Sequence, residues 1–223
     1  ALSVARYFLA GASVGDYALF GGGVDGEFMF STTVDAYNTS LTRSTPTALS
    51  VGRYSLVGAS VGDYALFGGG NTGSVSDVVD AYNTSLTRST PTALSAGRAA
   101  LAGASVGDYA LFGGGMDGGF MFSTTVDAYN TSLTRSTPTK ALSVARMYLA
   151  GVSVGDYALF GGGNTGSVSD VVDAYNTSLT RSTPTALSAG RFGLAGASVG
   201  DYALFGGGNT GSVSDVVDAY NTS

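Results

Sequence analysis

The sequence predicts an all-β chain folded as a five-bladed β-propeller of four-stranded antiparallel blades, the last of them lacking its outer strand. Three observations lead there. The string GDYALFGGG occurs five times, beginning at Gly15, Gly62, Gly107, Gly155 and Gly200, at intervals of 45 to 48 residues. Self-similarity at such a period marks a repeat architecture, so one unit sets the whole fold. Each unit also holds four short segments with period-2 alternation, none long enough for an ordinary helix. Finally, Gly, Asn and Ser/Thr clusters separate those segments, as hairpin connections require.

In the first unit the predicted strands cover 7–14, 16–21, 32–38 and 41–46. Tyr17 and Leu19 fall on one face of the second strand, Ala18 and Phe20 on the other. In the third, Val34 and Ala36 oppose Asp35 and Tyr37. Val14-Gly15-Asp16 reads as a tight hairpin and Asn38-Thr39-Ser40 as another. A lone four-stranded sheet leaves two faces to cover, and radial stacking of five covers them against one another. The blades then span approximately 1–47, 48–92, 93–140, 141–185 and 186–223 of a single domain. The first strand is small-residue-rich (Ala10-Gly11-Ala12-Ser13), either because inner strands crowd a narrow axis or because sheets stack tightly. The last unit lacks LTRSTPT, so the fifth blade is expected to have three strands unless ALS at the N-terminus or another chain supplies a fourth. Its open edge is then a route to self-association.

Composition narrows the chemistry. The chain has 223 residues, with 10 basic and 16 acidic side chains and a net charge of −6. At 44% hydrophobic and 12% charged residues it is not a disordered composition. Without cysteine there is no disulfide and no thiolate. Without histidine there is no Ser/His/Asp triad and no imidazole metal site. An acidic chain with scattered arginines is a poor partner for nucleic acid. No apolar run reaches membrane-spanning length. ALSVARYFLAG lacks the pattern of a signal peptide, and the compartment stays open.

An arginine near the first strand (Arg6, Arg53, Arg98, Arg146, Arg191), a hydrophobic strand ending in a diglycine, and a tyrosine in V-x-A-Y (Tyr37, Tyr82, Tyr129, Tyr175, Tyr220) recur at this period. The chain resembles kelch repeats over essentially its whole length. The resemblance implies a propeller with the Arg-led strand innermost and a loop-bearing face used for binding. The tryptophan usual in the fourth kelch strand is replaced by Leu-Thr-Arg, so smaller groups must anchor that strand.

Residues repeated in every unit read as framework. The GDY aspartates (Asp16 and its equivalents) and the VDAY aspartates (Asp35 and its equivalents) are expected to pair with arginines or to bond backbone N–H groups. The five Asn-Thr-Ser sequons read as hairpin turns. NTGSVSD, at 71–77, 164–170 and 209–215, offers oxygen ligands too sparsely for a calcium loop. Asp25 and Glu27 are the nearest approach to a catalytic carboxylate pair. The second copy of that loop keeps Asp117 but has Gly119 in place of the glutamate, so a solvated turn is the better reading. No catalytic residue, metal or cofactor is expected.

The repeats differ at two places. One is the pair after each framework arginine: Tyr7-Phe8, Tyr54-Ser55, Ala99-Ala100, Met147-Tyr148 and Phe192-Gly193. The other is the loop after the triglycine, VDGEFMFSTT in the first unit and MDGGFMFSTT in the third. Antiparallel pairing puts the start of the first strand and the end of the second at one face of the disc. That face gathers Tyr7, Phe8, Asp25, Glu27, Phe28, Phe30, Tyr54, Asp117, Phe120, Phe122, Met147, Tyr148 and Phe192, with Met29 and Met121. Clustered aromatics and methionines mark a recognition surface, while unconstrained drift of loops is the competing account. The function expected is a non-catalytic scaffold binding a protein, with no nucleic acid and no membrane. A recently amplified or designed repeat whose role is to fold and assemble, and a lectin-like module, are the alternatives.

Overall fold

The structure, a computed structural model, describes residues 1–222. The first blade contains β1 (Ala10–Val14), β2 (Tyr17–Gly21), β3 (Val34–Tyr37) and β4 (Arg43–Ser44). The second contains β5 (Val57–Val61), β6 (Tyr64–Gly68), β7 (Val79–Asn83) and β8 (Arg88–Ser89). The third has β9 (Ala102–Val106), β10 (Tyr109–Gly113), β11 (Val126–Asn130) and β12 (Arg135–Ser136). The fourth has β13 (Ala150–Val154), β14 (Tyr157–Gly161), β15 (Val172–Asn176) and β16 (Arg181–Ser182). The fifth has β17 (Ala195–Val199), β18 (Tyr202–Gly206) and β19 (Val217–Asn221). Strand order in every sheet follows the chain, and the fifth sheet has three strands among the described residues.

The strands are shorter than the sequence suggests, for local reasons. β1 pairs with β2 from Ala10↔Gly21 to Val14↔Tyr17, closing the Gly15-Asp16 turn. Gly15 takes φ 50°, the first-position glycine that a type II′ hairpin calls for. Upstream, Phe8 sits at φ 54°, which interrupts the strand and leaves Tyr7 as an isolated bridge to Val24. The outer strand is two residues long because Leu41, at φ 57°, ends the turn before it and Pro46 follows soon after.

A buried aspartate organises each of the first four blades. Asp127 accepts from Ser95 N (3.1 Å), from Arg98 Nη2 (2.5 Å) and from Arg135 Nη1 (2.9 Å). The Arg98 guanidinium also donates to the carbonyls of Gly114, Thr125 and Phe112. So the inner-strand arginine, the third strand and the outer strand meet at one carboxylate, and Arg135 anchors the strand that lacks a tryptophan. Burial pulls the guanidinium of Arg98 down from its ordinary value and the Asp127 charge pulls it back. The VDAY aspartates, not the GDY aspartates, pair with the arginines.

Blades stack through four equivalent apolar interfaces. Each joins the Ala/Val/Leu face of one blade to the Ala-Phe-Tyr face of the next. Ala10, Val14, Leu19 and Val34 meet Phe67 and Tyr82. The same pattern places Phe112 and Tyr129, then Phe160 and Tyr175, then Phe205, against the blade before them. Each phenylalanine lies over a glycine: a Cβ on Gly113 would stand 3.0 Å from the Phe160 ring. Inner strands crowd the axis, as one of the two readings of their small residues required. A Cβ on Gly103 would meet the Gly58 carbonyl oxygen at 2.3 Å. Between blades one and five the pattern stops. Phe20 is 37% exposed where its four equivalents are fully buried, and all of β17 is exposed.

Candidate functional site

The mouth of the axis is built from the second residue of each variable pair. Phe8, Ser55, Ala100, Tyr148 and Gly193 all take positive φ, between 51° and 64°. That conformation turns each backbone toward its neighbour. Ser55 N donates to Phe8 O (3.0 Å), Ala100 N to Ser55 O (3.2 Å), Tyr148 N to Ala100 O (2.9 Å) and Gly193 N to Tyr148 O (2.9 Å). The result is an arc of inter-blade bonds around a cavity of about 380 Å³. Four non-glycine residues hold a conformation that costs an L-residue roughly 1–2 kcal/mol, and the arc of bonds is what holds them there. Farther down the axis a serine array repeats the device: Ser60 Oγ donates to Ser13 O (2.7 Å) and Ser105 Oγ to Ser60 O (2.6 Å).

The variable pair and the variable loop are bridged in every blade. Tyr7 pairs with Val24 and Val24 with Phe30; Ala99 pairs with Met116 and Met116 with Phe122. In the other blades Tyr54, Met147 and Phe192 pair with Asn71, Asn164 and Asn209. The two variable regions therefore share one face. On it the rings of Tyr7 and Phe8 lie 5.0 Å apart, Phe8 and Tyr54 6.4 Å, and Phe30 and Tyr54 5.0 Å. Tyr148 and Phe192 form a second pair at 6.4 Å. At the loop tips Phe28 is 76%, Phe120 79% and Met121 67% exposed, and Met29 is nearly as open. Tyr54, Met147, Phe122 and Phe192 are half-buried.

The carboxylates of this face serve turns. Asp25 Oδ1 accepts from the amides of Glu27 and Met29, both at 2.9 Å, and Asp117 Oδ1 does the same for Gly119 and Met121. Glu27 is exposed beside its turn. The Asn71 side chain holds the Gly73 amide (2.7 Å), and Asn38 holds the amides of Ser40 and Thr42. Among the described residues no three acidic side chains gather in a way that could hold a metal ion.

Sequence reasoning located the face but missed the bonded arc at its centre. One signal for it was available: the second residue of the variable pair is glycine in the fifth unit, Gly193, and glycine commonly marks a positive φ.

No family model matches the chain, and no curated protein matches it. Among solved structures, that of YjhT superposes with a TM-score of 0.75 at 16% identity, covering 92% of this chain and 73% of YjhT. At that identity the likeness concerns the fold: a β-propeller with repeated blades.

Proposed function

We propose that this chain is a non-catalytic, kelch-like scaffold that binds protein partners through its loop-bearing face, without a cofactor. The observation that carries the proposal is the set of exposed loop-tip side chains, Phe28, Met29, Phe120 and Met121, on the same face as the aromatic row of Tyr7 and Phe8. Large apolar groups held on turns over a rigid framework are what a peptide or protein surface packs against. Two sets of carboxylates are otherwise engaged: the VDAY aspartates hold the blades together, and Asp25 and Asp117 hold the loops. The kelch-like reading draws on the jobs of its recurrent residues, the arginine at the buried aspartate and the tyrosine at the preceding linker, where Tyr129 Oη donates to Thr92 O (2.7 Å).

A displayed peptide library selected on the chain tests this reading. Replacing Phe28, Met29, Phe120 and Met121 together by alanine should weaken selected peptides by about tenfold or more with melting unchanged. Equal binding by the variant, at equal melting temperature, would remove the proposal. Binding on a glycan array with none from the peptide library would assign a lectin-like role in its place.

A further inference from the structure

We infer that the seam between the first and fifth blades is a docking site for one more blade of this same repeat. Each of the four interior interfaces joins two unlike surfaces, an Ala/Val/Leu face and an Ala-Phe-Tyr face. Blade five presents the first kind uncovered, with Val199 63% and Val217 59% exposed. Blade one presents the second kind uncovered, where Phe20 and Tyr37 line an apolar depression with Leu2 and Leu9. The two surfaces are complementary in the sense already realised four times, yet they do not meet. A Cβ on Gly206 would find its own blade's Val217 at 3.6 Å, whereas one on Gly161 would strike the Phe205 ring at 2.8 Å.

Repetition turns this into a count. Near-identical sequences make near-identical steps. Five steps closing a circle must each turn by about 72°, and the next ring, of six, needs about 60°. Five blades that line one axial cavity but leave both terminal faces open take the smaller step. The arc of backbone bonds is interrupted at the same place, running from Phe8 O to Gly193 N with its two ends at the seam. A second feature agrees. Leu86, Leu133 and Leu179 pack on the first three interfaces. At the fourth, a cavity of about 260 Å³ lies among Val154, Leu159, Ala174, Pro184 and Tyr220 in the equivalent place. The segment LTRSTPT carries that leucine and leads into each new blade, so a repeat with the sequence of residues 179–223 fits the cavity and the seam together.

The test uses the absence of cysteine from the chain. Val217→Cys and Val126→Cys are placed at equivalent positions, one exposed and one buried, in the full five-repeat chain and in the chain extended by one copy of residues 179–223. In the five-repeat monomer, Val217→Cys should react with a thiol reagent at least about a hundredfold faster than Val126→Cys. In the extended chain the two rates should converge, the added repeat should resist protease, and melting should rise by about 5 °C or more. A chain with two added repeats should have its last one digested. Slow Val217→Cys labelling in the five-repeat monomer would overturn the inference, since the ring then closes at five. Fast labelling and a digested repeat in the extended chain would overturn it also. So would protection that appears only in a dimer, which would make a second whole chain the occupant, or a protected seventh repeat.

Discussion

Gly103 and Gly11 occupy the same position in the repeat and have different surroundings. A Cβ on Gly103 would stand 2.3 Å from the Gly58 carbonyl oxygen, while on Gly11 its nearest neighbour is a Phe20 ring carbon at 3.8 Å. Gly103→Ala should therefore destabilise by about 3 kcal/mol, because inner strands must separate to admit the methyl group. Gly11→Ala should cost less than about 1 kcal/mol. Denaturant unfolding of the two variants checks the contrast. Leu41 and Leu133 form a similar pair: both hold positive φ, but Leu41 is 80% exposed and Leu133 packs against the second interface. Leu41→Gly should stabilise by roughly 0.5–1 kcal/mol through relief of the left-handed backbone. Leu133→Gly should destabilise through lost packing. The small residues of GASV were legible as close contacts. Their unequal importance was not, because identical letters carry no information about which neighbours a blade has.

Within a blade, the aspartate between two arginines is the joint. Asp127 is fully buried and takes three donors. Asp127→Asn should cost about 3–5 kcal/mol, because it leaves the Arg98 guanidinium buried beside a neutral amide. Circular dichroism melts would read this as a loss of many degrees. The tyrosine of the same strand gives the blade its alkaline limit. Burial raises the hydroxyls of Tyr82, Tyr129 and Tyr175 well above the ordinary phenol range, with the neighbouring aspartates adding to it, and raises that of Tyr220 to about 12. An unfolded tyrosine loses its proton near pH 10, so above that pH the unfolded chain releases protons that the folded blade retains. Stability should be unaffected by these groups below about pH 10. It should fall as pH rises from there through 12 and beyond, and melting temperature against pH checks the sign. The pairing of these residues follows from their recurrence in every unit. Which aspartate pairs was not legible, because both recur once per repeat. Strand alternation decides it by turning Asp35 and its equivalents inward, while the GDY aspartates sit at hairpin tips.

Across the whole molecule, repetition of sequence does not give repetition of energy. The fold was legible because period, alternation and turn residues all agree. The loop-bearing face was legible because antiparallel geometry fixes which ends lie together. The open seam was not, since it depends on the rotation between blades, which no single unit encodes. The measurement closest to the centre of this account is unfolding of the alanine variants of Phe20, Phe67, Phe112, Phe160 and Phe205 in the five-repeat chain. Face-to-face stacking about a common axis with one seam predicts losses of about 3–5 kcal/mol at the four buried phenylalanines and a much smaller one at Phe20. Five equal losses would contradict it, because they would mean that Phe20 also lies under a neighbouring blade.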